Sequence, residues 1–354
     1  MRGNRAFLIV ALVAIGIALS VLVLAALVTG PGKRASTVHV EPEVTFALPP
    51  AETGCSGATP QAGGGDRVPL TVSVVAGQVA ETVDVCVGDH GPYPFIIDTG
   101  TGRSVIDAGL AHRLHLASAG AATEFAGVGC TGTARPVTVG NWSLDGVDLA
   151  AQQLSAATLP QMGGKDEPVG LLGSDVLSRF GGVRIDFGAG ALVLPGPEGA
   201  PLAESSPFTG PLGPAPLSLT GGESGTTVPL TVTPTTGDVS LSVAVGFARG
   251  PRREFVVDTG SSQSVVSSLV ARGLPLQSTD LAQRQSTVCS VITVPLVHSG
   301  PWSVPGLALH SQLIGSTDFG TITASGTQGL LGSDQLRRYG WVVLDYAGGQ
   351  MVLG

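Results

Sequence analysis

The chain carries one pattern twice. Phe95-Ile96-Ile97 leads into Asp98-Thr99-Gly100, and 160 residues later Phe255-Val256-Val257 leads into Asp258-Thr259-Gly260. Long flanks keep the offset. Val68-Pro69-Leu70-Thr71-Val72 and Val228-Pro229-Leu230-Thr231-Val232 open the two copies. Ser104-Val105-Ile106 answers Ser264-Val265-Val266, Trp142-Ser143 answers Trp302-Ser303, and Gly170-Leu171-Leu172-Gly173-Ser174-Asp175 answers Gly329-Leu330-Leu331-Gly332-Ser333-Asp334. Solenoid repeats run roughly 20–50 residues, so this unit has the size of a whole lobe. The repeat therefore restricts the chain to two similar lobes packed about a pseudo-twofold axis. It also places two carboxylates, Asp98 and Asp258, at equivalent points of the two halves. Two carboxylates at one site split their pKa values, leaving one as a base and one as an acid.

The composition favours strands within each copy. Of 354 residues, 52 are Gly and 25 Pro, and only 12% are charged, a balance that suits turns and sheets better than helices. Apolar, β-branched runs predict strands at Thr71–Val75, Val83–Val87, Phe95–Ile97, Val137–Val139 and Ala191–Leu194, with counterparts in the second copy. Short helices are expected at 107–114 and 175–180, the latter capped by Ser174 or Asp175. The lobes are expected at 68–196 and 228–354, joined by a Pro-, Gly- and Ser-rich linker over 197–227.

The N-terminus reads differently. Arg2 and Arg5 precede an uncharged run from Ala6 to Val28, long enough to span the roughly 30 Å core of a bilayer. A cleaved secretory signal has a shorter apolar core, roughly 7–15 residues. Residues 1–32 are thus expected to form a cytoplasmic end and a transmembrane signal anchor. Residues 33–67 would be a tether or pro-segment, and everything beyond would lie outside the cell. Cleavage of the anchor would make the protein secreted.

The net charge is −8 and the only lysines are Lys33 and Lys165, which excludes the basic face of a nucleic-acid binder. His112 and His115 resemble a metal pair, but their counterparts are Arg272 and Pro275. No C-x-x-C pair, P-loop, G-x-S-x-G or H-E-x-x-H pattern occurs. No metal and no cofactor are expected.

These motifs resemble those of the pepsin-like and retropepsin-like aspartic proteases. The family's mark is two apolar residues, Asp-Thr-Gly-(Ser/Thr/Ala), and a Ser or Thr three positions later. Asp98-Thr99-Gly100-Thr101 with Ser104 fits, as does Asp258-Thr259-Gly260-Ser261 with Ser264. Its second mark, an apolar-apolar-Gly triplet, is met by Leu171-Leu172-Gly173 and Leu330-Leu331-Gly332. The resemblance covers roughly residues 68–196 and 228–354. It implies an all-β fold of two pseudo-twofold-related, β-barrel-like lobes with a cleft between them.

The resemblance also implies a water held between catalytic Asp98 and Asp258. One carboxylate takes its proton during attack on a peptide carbonyl, while the protonated partner polarises that carbonyl and later feeds the leaving amine. Thr99 and Thr259 would join the two loops across the seam. Gly100 and Gly260 would allow tight turns and close backbone approach. Thr101 and Ser261 would donate to the outer carboxylate oxygens. The expected activity is that of an aspartic endopeptidase on extended polypeptides, working as a monomer because one chain supplies both halves. The competing reading is an inactive protease-like module that binds an extracellular peptide or wall component.

In this family a Gly-containing hairpin, the flap, closes over substrate. Gly127–Gly132 is the candidate. The matching stretch, Ser286–Val294, has no glycine, so a single mobile flap is expected. Cys130 and Cys289 sit at matching places near these tips. Equivalent residues meet only near the axis, which suggests a Cys130–Cys289 disulfide and leaves Cys55 with Cys86. Cys86–Cys130 is the rival pairing.

Overall fold

Each Asp-Thr-Gly ends a strand because the preceding alternation buries one face. Along His90–Ile97, Tyr93, Phe95 and Ile97 point inward and are at most 3% exposed. In the computed structural model, residues 66–75, 78–160, 167–195, 224–248 and 250–354 are described. The described residues belong to one compact unit that contains both repeats.

Each lobe is built on its own large sheet, with eleven strands in the first and ten in the second. Within each, the strand carrying the apolar triplet threads between two others. Gly170–Leu172 runs parallel to His90–Ile97 and antiparallel to Val105–Asp107. Gly329–Gly332 does the same between Arg253–Asp258 and Val265–Ser267. Trp142 and Trp302 are core residues at 3% exposure, each donating its indole N–H to a backbone carbonyl, of Ala150 and His310.

A third sheet of six strands joins the lobes. Its order is Asp66–Pro69, Ala191–Leu194, Gly182–Asp186, Trp341–Asp345, Gln350–Leu353 and Thr226–Pro229. At its centre Arg184 stands opposite Val343, its own counterpart in the repeat, so the pseudo-twofold axis passes between them. The outer strands begin at Asp66 and Thr226, each two residues before the expected lobe boundary. One buried core runs through both lobes, from Val68 and Phe95 to Phe255 and Met351. Arg337 also reaches across and pairs with the Glu81 carboxylate, whose side chain is 2% exposed.

The first short helix is Ala108–Arg113, capped by Asp107, whose Oδ1 accepts from the Gly109 and Leu110 amides. The second is shorter than expected: Ser174–Leu177 is α-helical and Ser178–Phe180 a 3₁₀ turn. Its capping position falls on Gly173, which has no side chain to cap with. Among the described residues no helix is long and apolar enough to cross a membrane. The Ala6–Val28 anchor, residues 33–65 of the tether and residues 197–223 of the linker lie outside the described residues.

Candidate active site

The two Asp-Thr-Gly loops meet on the axis. The Thr99 hydroxyl donates to the Val257 carbonyl at 2.7 Å and accepts from the Thr259 amide at 3.1 Å. The Thr259 hydroxyl donates to the Ile97 carbonyl at 2.7 Å and accepts from the Thr99 amide at 3.1 Å. Both threonines are 1% exposed. Three buried polar groups on each side thus find partners in the other lobe, through four hydrogen bonds that fix the two loops relative to one another.

The glycines then admit the carboxylates. A Cβ at Gly100 would stand 2.4 Å from Asp258 Cγ, and one at Gly260 would stand 2.5 Å from Asp98 Cγ. Each glycine therefore makes room for the aspartate of the opposite copy. Asp98 and Asp258 lie close enough for each carboxyl to shift the titration of the other.

Around this symmetric frame the hydrogen bonds are unequal. Asp98 Oδ1 accepts from the Gly100 and Thr101 amides at 3.0 and 3.1 Å, and Oδ2 accepts from the Thr101 hydroxyl at 2.7 Å. Asp258 Oδ1 accepts from the Ser261 amide at 2.9 Å, but the Ser261 hydroxyl turns away and donates to the Gln263 carbonyl at 2.7 Å. The expectation that Thr101 and Ser261 act alike thus fails for Ser261, because a backbone acceptor two residues on captures its proton. Burial raises both aspartates above the usual carboxylate range. Asp258 goes furthest, since the charge of Asp98 adds to burial, whereas the Thr101 hydroxyl and amide partly hold Asp98 down.

Two further carboxylates hold the loops. Asp175, 8% exposed, accepts from the Ser104 amide at 2.9 Å and the Ser104 hydroxyl at 2.6 Å, while that hydroxyl accepts from the Gly173 amide at 2.9 Å. Asp334, Ser264 and Gly332 repeat this at 2.9, 2.7 and 3.0 Å. Asp175, offered by the sequence as a helix cap, and its counterpart Asp334 bolt the Asp-Thr-Gly loop to the threading strand. The available signal was that Ser104 and Asp175 recur together as Ser264 and Asp334. Burial pushes the Asp175 carboxyl up to about 6. The Ser174 hydroxyl donates to the Thr99 carbonyl at 3.1 Å and meets the hydroxyl of fully buried Tyr346 at 3.0 Å.

Two hairpins roof the pair. Thr123–Gly127 pairs with Cys130–Val139, and Gln277–Ser286 pairs with Val291–His298. Their tips are exchanged. Val128 of the first lobe packs with Val265, Phe319 and Leu330 of the second. Val288 of the second packs with Val105, Ala134 and Leu171 of the first. The expected single flap is therefore corrected to two. The first tip turns at Gly129 with φ +70°. The second turns without glycine because the Thr287 side chain closes it, accepting from the Ser290 amide and donating to the Ser290 carbonyl.

Cys130 and Cys289 form the expected disulfide between the tips, with their Cα atoms 6.1 Å apart. Cys86 is also disulfide-bonded, and Cys55, its expected partner, lies outside the described residues. Beneath the bridged tips lies a cavity of about 530 Å³, with Asp98 and Asp258 on its floor and Phe125, Val128, Thr287 and Val288 at its roof.

The aspartyl protease family model matches the chain twice, over residues 83–176 and 243–335. Together these segments make up more than half of the sequence, and the chain belongs to the aspartyl protease family. Among solved structures, it is similar to the crystal structure of the aspartic proteinase from Irpex lacteus at 12% identity. That similarity covers 82% of this chain and 97% of the other, with a TM-score of 0.46. No curated protein matches the chain.

Proposed function

We propose that the protein is an aspartic endopeptidase in which Asp98 is the ionised base and Asp258 the proton donor. The observation that carries this reading is the unequal hydrogen bonding of two aspartates in mutual contact. Three donors converge on Asp98, and the charge of Asp98 drives the proton onto Asp258. A coupled pair titrates as a unit, so the assignment describes the singly protonated state.

In that state Asp98 takes a proton from a water as its oxygen bonds to the peptide carbonyl carbon. Asp258 gives its proton to the carbonyl oxygen. As the C–N bond breaks, the proton held by Asp98 passes to the amine nitrogen and Asp258 recovers its own. One peptide and one water become one acid and one amine. The substrate is a polypeptide in extended form, held by strand-like hydrogen bonds beneath the two hairpins. The Ala6–Val28 run supports placement of the protease unit outside the membrane on a single N-terminal anchor.

The test is cleavage of a mixed peptide library by the full-length chain from pH 3 to 7, beside Asp98→Asn and Asp258→Asn. Cleavage by wild type at acidic to mildly acidic pH, lost in both variants, is the expected result. A wild type that cuts nothing, or variants that stay active, ends the proposal.

A further inference from the structure

We propose that the Cys130–Cys289 bridge makes the cleft a closed ring, so that substrate enters only by threading a free chain end. The inference rests on the peptidase reading and narrows its substrate class. Below the ring, Thr99 and Thr259 tie the Asp loops together, and the six-stranded sheet joins the lobes behind them. Above it, the hairpin tips are exchanged between lobes and covalently joined. Both half-cystines lie beside roof residues of the cavity, Val128 on one side and Thr287 and Val288 on the other.

An unbridged roof opens by releasing Val128 and Val288 from their apolar contacts, and lids of that kind open on microsecond to millisecond timescales. The disulfide removes that route, since uncatalysed disulfide rearrangement takes minutes to hours. The two hairpins then move as one arch. A strand cannot be laid into the cleft from the side. It passes beneath the arch end first, or not at all. Opening the floor instead means parting the threonine pair and the central sheet, which amounts to unfolding. The substrates are therefore linear polypeptides with at least one unstructured terminus. Loops within folded proteins and cyclic peptides are refused.

The experiment uses a cleaved library peptide biotinylated at both ends, with flexible spacers of about 20 residues that extend up to roughly 70 Å. Streptavidin blocks the N-terminus, the C-terminus or both. For oxidised full-length wild type, blocking either end alone should change the rate by no more than about threefold, whereas blocking both should slow it at least about 100-fold, because the reacting geometry is never reached. The double variant Cys130→Ser/Cys289→Ser should cut the doubly blocked peptide at a rate within about threefold of the free one. Cleavage of the doubly blocked peptide by oxidised wild type at the free rate overturns threading and leaves the peptidase reading intact. Refusal of that peptide by a double variant that cuts the free one also overturns it, because the bridge is then not the barrier. Should the double variant fail to fold, the wild-type series with single and double blocks decides. No cleavage of the free peptide by wild type defeats the peptidase reading itself, and threading with it.

Discussion

Thr101 and Ser261 hold the same place in the two copies, yet only the Thr101 hydroxyl donates to its aspartate. Thr101 Oγ1 lies 2.7 Å from Asp98 Oδ2, while Ser261 Oγ lies 2.7 Å from the Gln263 carbonyl oxygen. A hydrogen bond to a charged group contributes about 1.5–3 kcal/mol. Thr101→Ala should therefore lower kcat/KM by roughly 10- to 100-fold. It should also move the acidic limb of the pH–rate profile upward, since Asp98 loses a donor that favours its ionised form. Ser261→Ala should leave that limb in place. Equal shifts in the two variants would sink the assignment of Asp98 as the base.

A second prediction concerns the glycines that face the opposing carboxylates. A methyl group at Gly100 meets Asp258 Cγ at 2.4 Å. Asp258 must then move, and the pair loses its contact. Gly100→Ala and Gly260→Ala should each cut kcat at least about 100-fold. Overpacking of this kind costs about 1–3 kcal/mol, so thermal unfolding should remain cooperative with a moderately lowered Tm. Near-wild-type kcat in either variant contradicts the cross-lobe arrangement.

The threonine pair should matter for stability more than its two small side chains suggest. Thr99→Val keeps the shape but strands the Val257 carbonyl and the Thr259 amide, both buried. Each unsatisfied buried group costs about 1–3 kcal/mol. Thr99→Val should thus destabilise by about 2–6 kcal/mol, and Thr99→Ser by much less. Denaturant unfolding of the two variants measures the difference, and equal losses would assign the effect to packing instead.

Stability should fall as pH rises from about 4 to 7. Asp175 has a folded pKa of about 6 against an ordinary 3.8, raised mainly by burial. The folded state therefore binds its proton more tightly than the unfolded chain. That stabilisation is fully present below about pH 4 and is lost as pH rises through about 6. Its size is of order 3 kcal/mol. Asp334, Glu81, Asp98 and Asp258 are raised in the same direction, each chiefly by burial. Tm should be higher near pH 4 than near pH 7, and Asp175→Asn should flatten the slope while Ser104 keeps an acceptor. A Tm that climbs steadily from pH 4 to 7 would falsify this account.

Much of this architecture was legible in the repeat, because a duplicated lobe obliges equivalent residues to meet on the axis. Arg184 opposite Val343, Thr99 against Thr259 and Cys130 bonded to Cys289 mark that axis from the central sheet to the roof. What departs from the expectation depends on side-chain direction, which residue type does not encode. Ser261 is the same kind of donor as Thr101 but donates to the Gln263 carbonyl instead of its aspartate. Asp175 looks like a helix-capping residue, yet the Oδ1 that accepts from the Val176 amide also accepts from the Ser104 amide and hydroxyl. The second flap was hidden because its turn is closed by the Thr287 hydroxyl, a device with no glycine to announce it. The central sheet draws its outer strands from the starts of both copies, a pairing that local periodicity does not reveal.

The ion pair between Glu81 and Arg337 gives the last prediction. Glu81 is 2% exposed, burial raises its pKa, and the Arg337 guanidinium holds it partly down. Its counterpart in the second copy is Leu241, so the pair is an addition to the symmetric frame. Removing one partner of a buried pair costs about 3–5 kcal/mol because the other charge is left alone. Arg337→Met should cost that much near pH 7. The missing guanidinium lets the Glu81 pKa rise further, so the carboxyl takes up a proton on acidification and the penalty fades towards pH 4. Adding Glu81→Gln to Arg337→Met should recover most of the neutral-pH loss, since no charge then remains to bury. Thermal unfolding of both variants at the two pH values separates this from simple packing. A packing defect would cost the same at pH 4 as at pH 7 and would survive in the double variant.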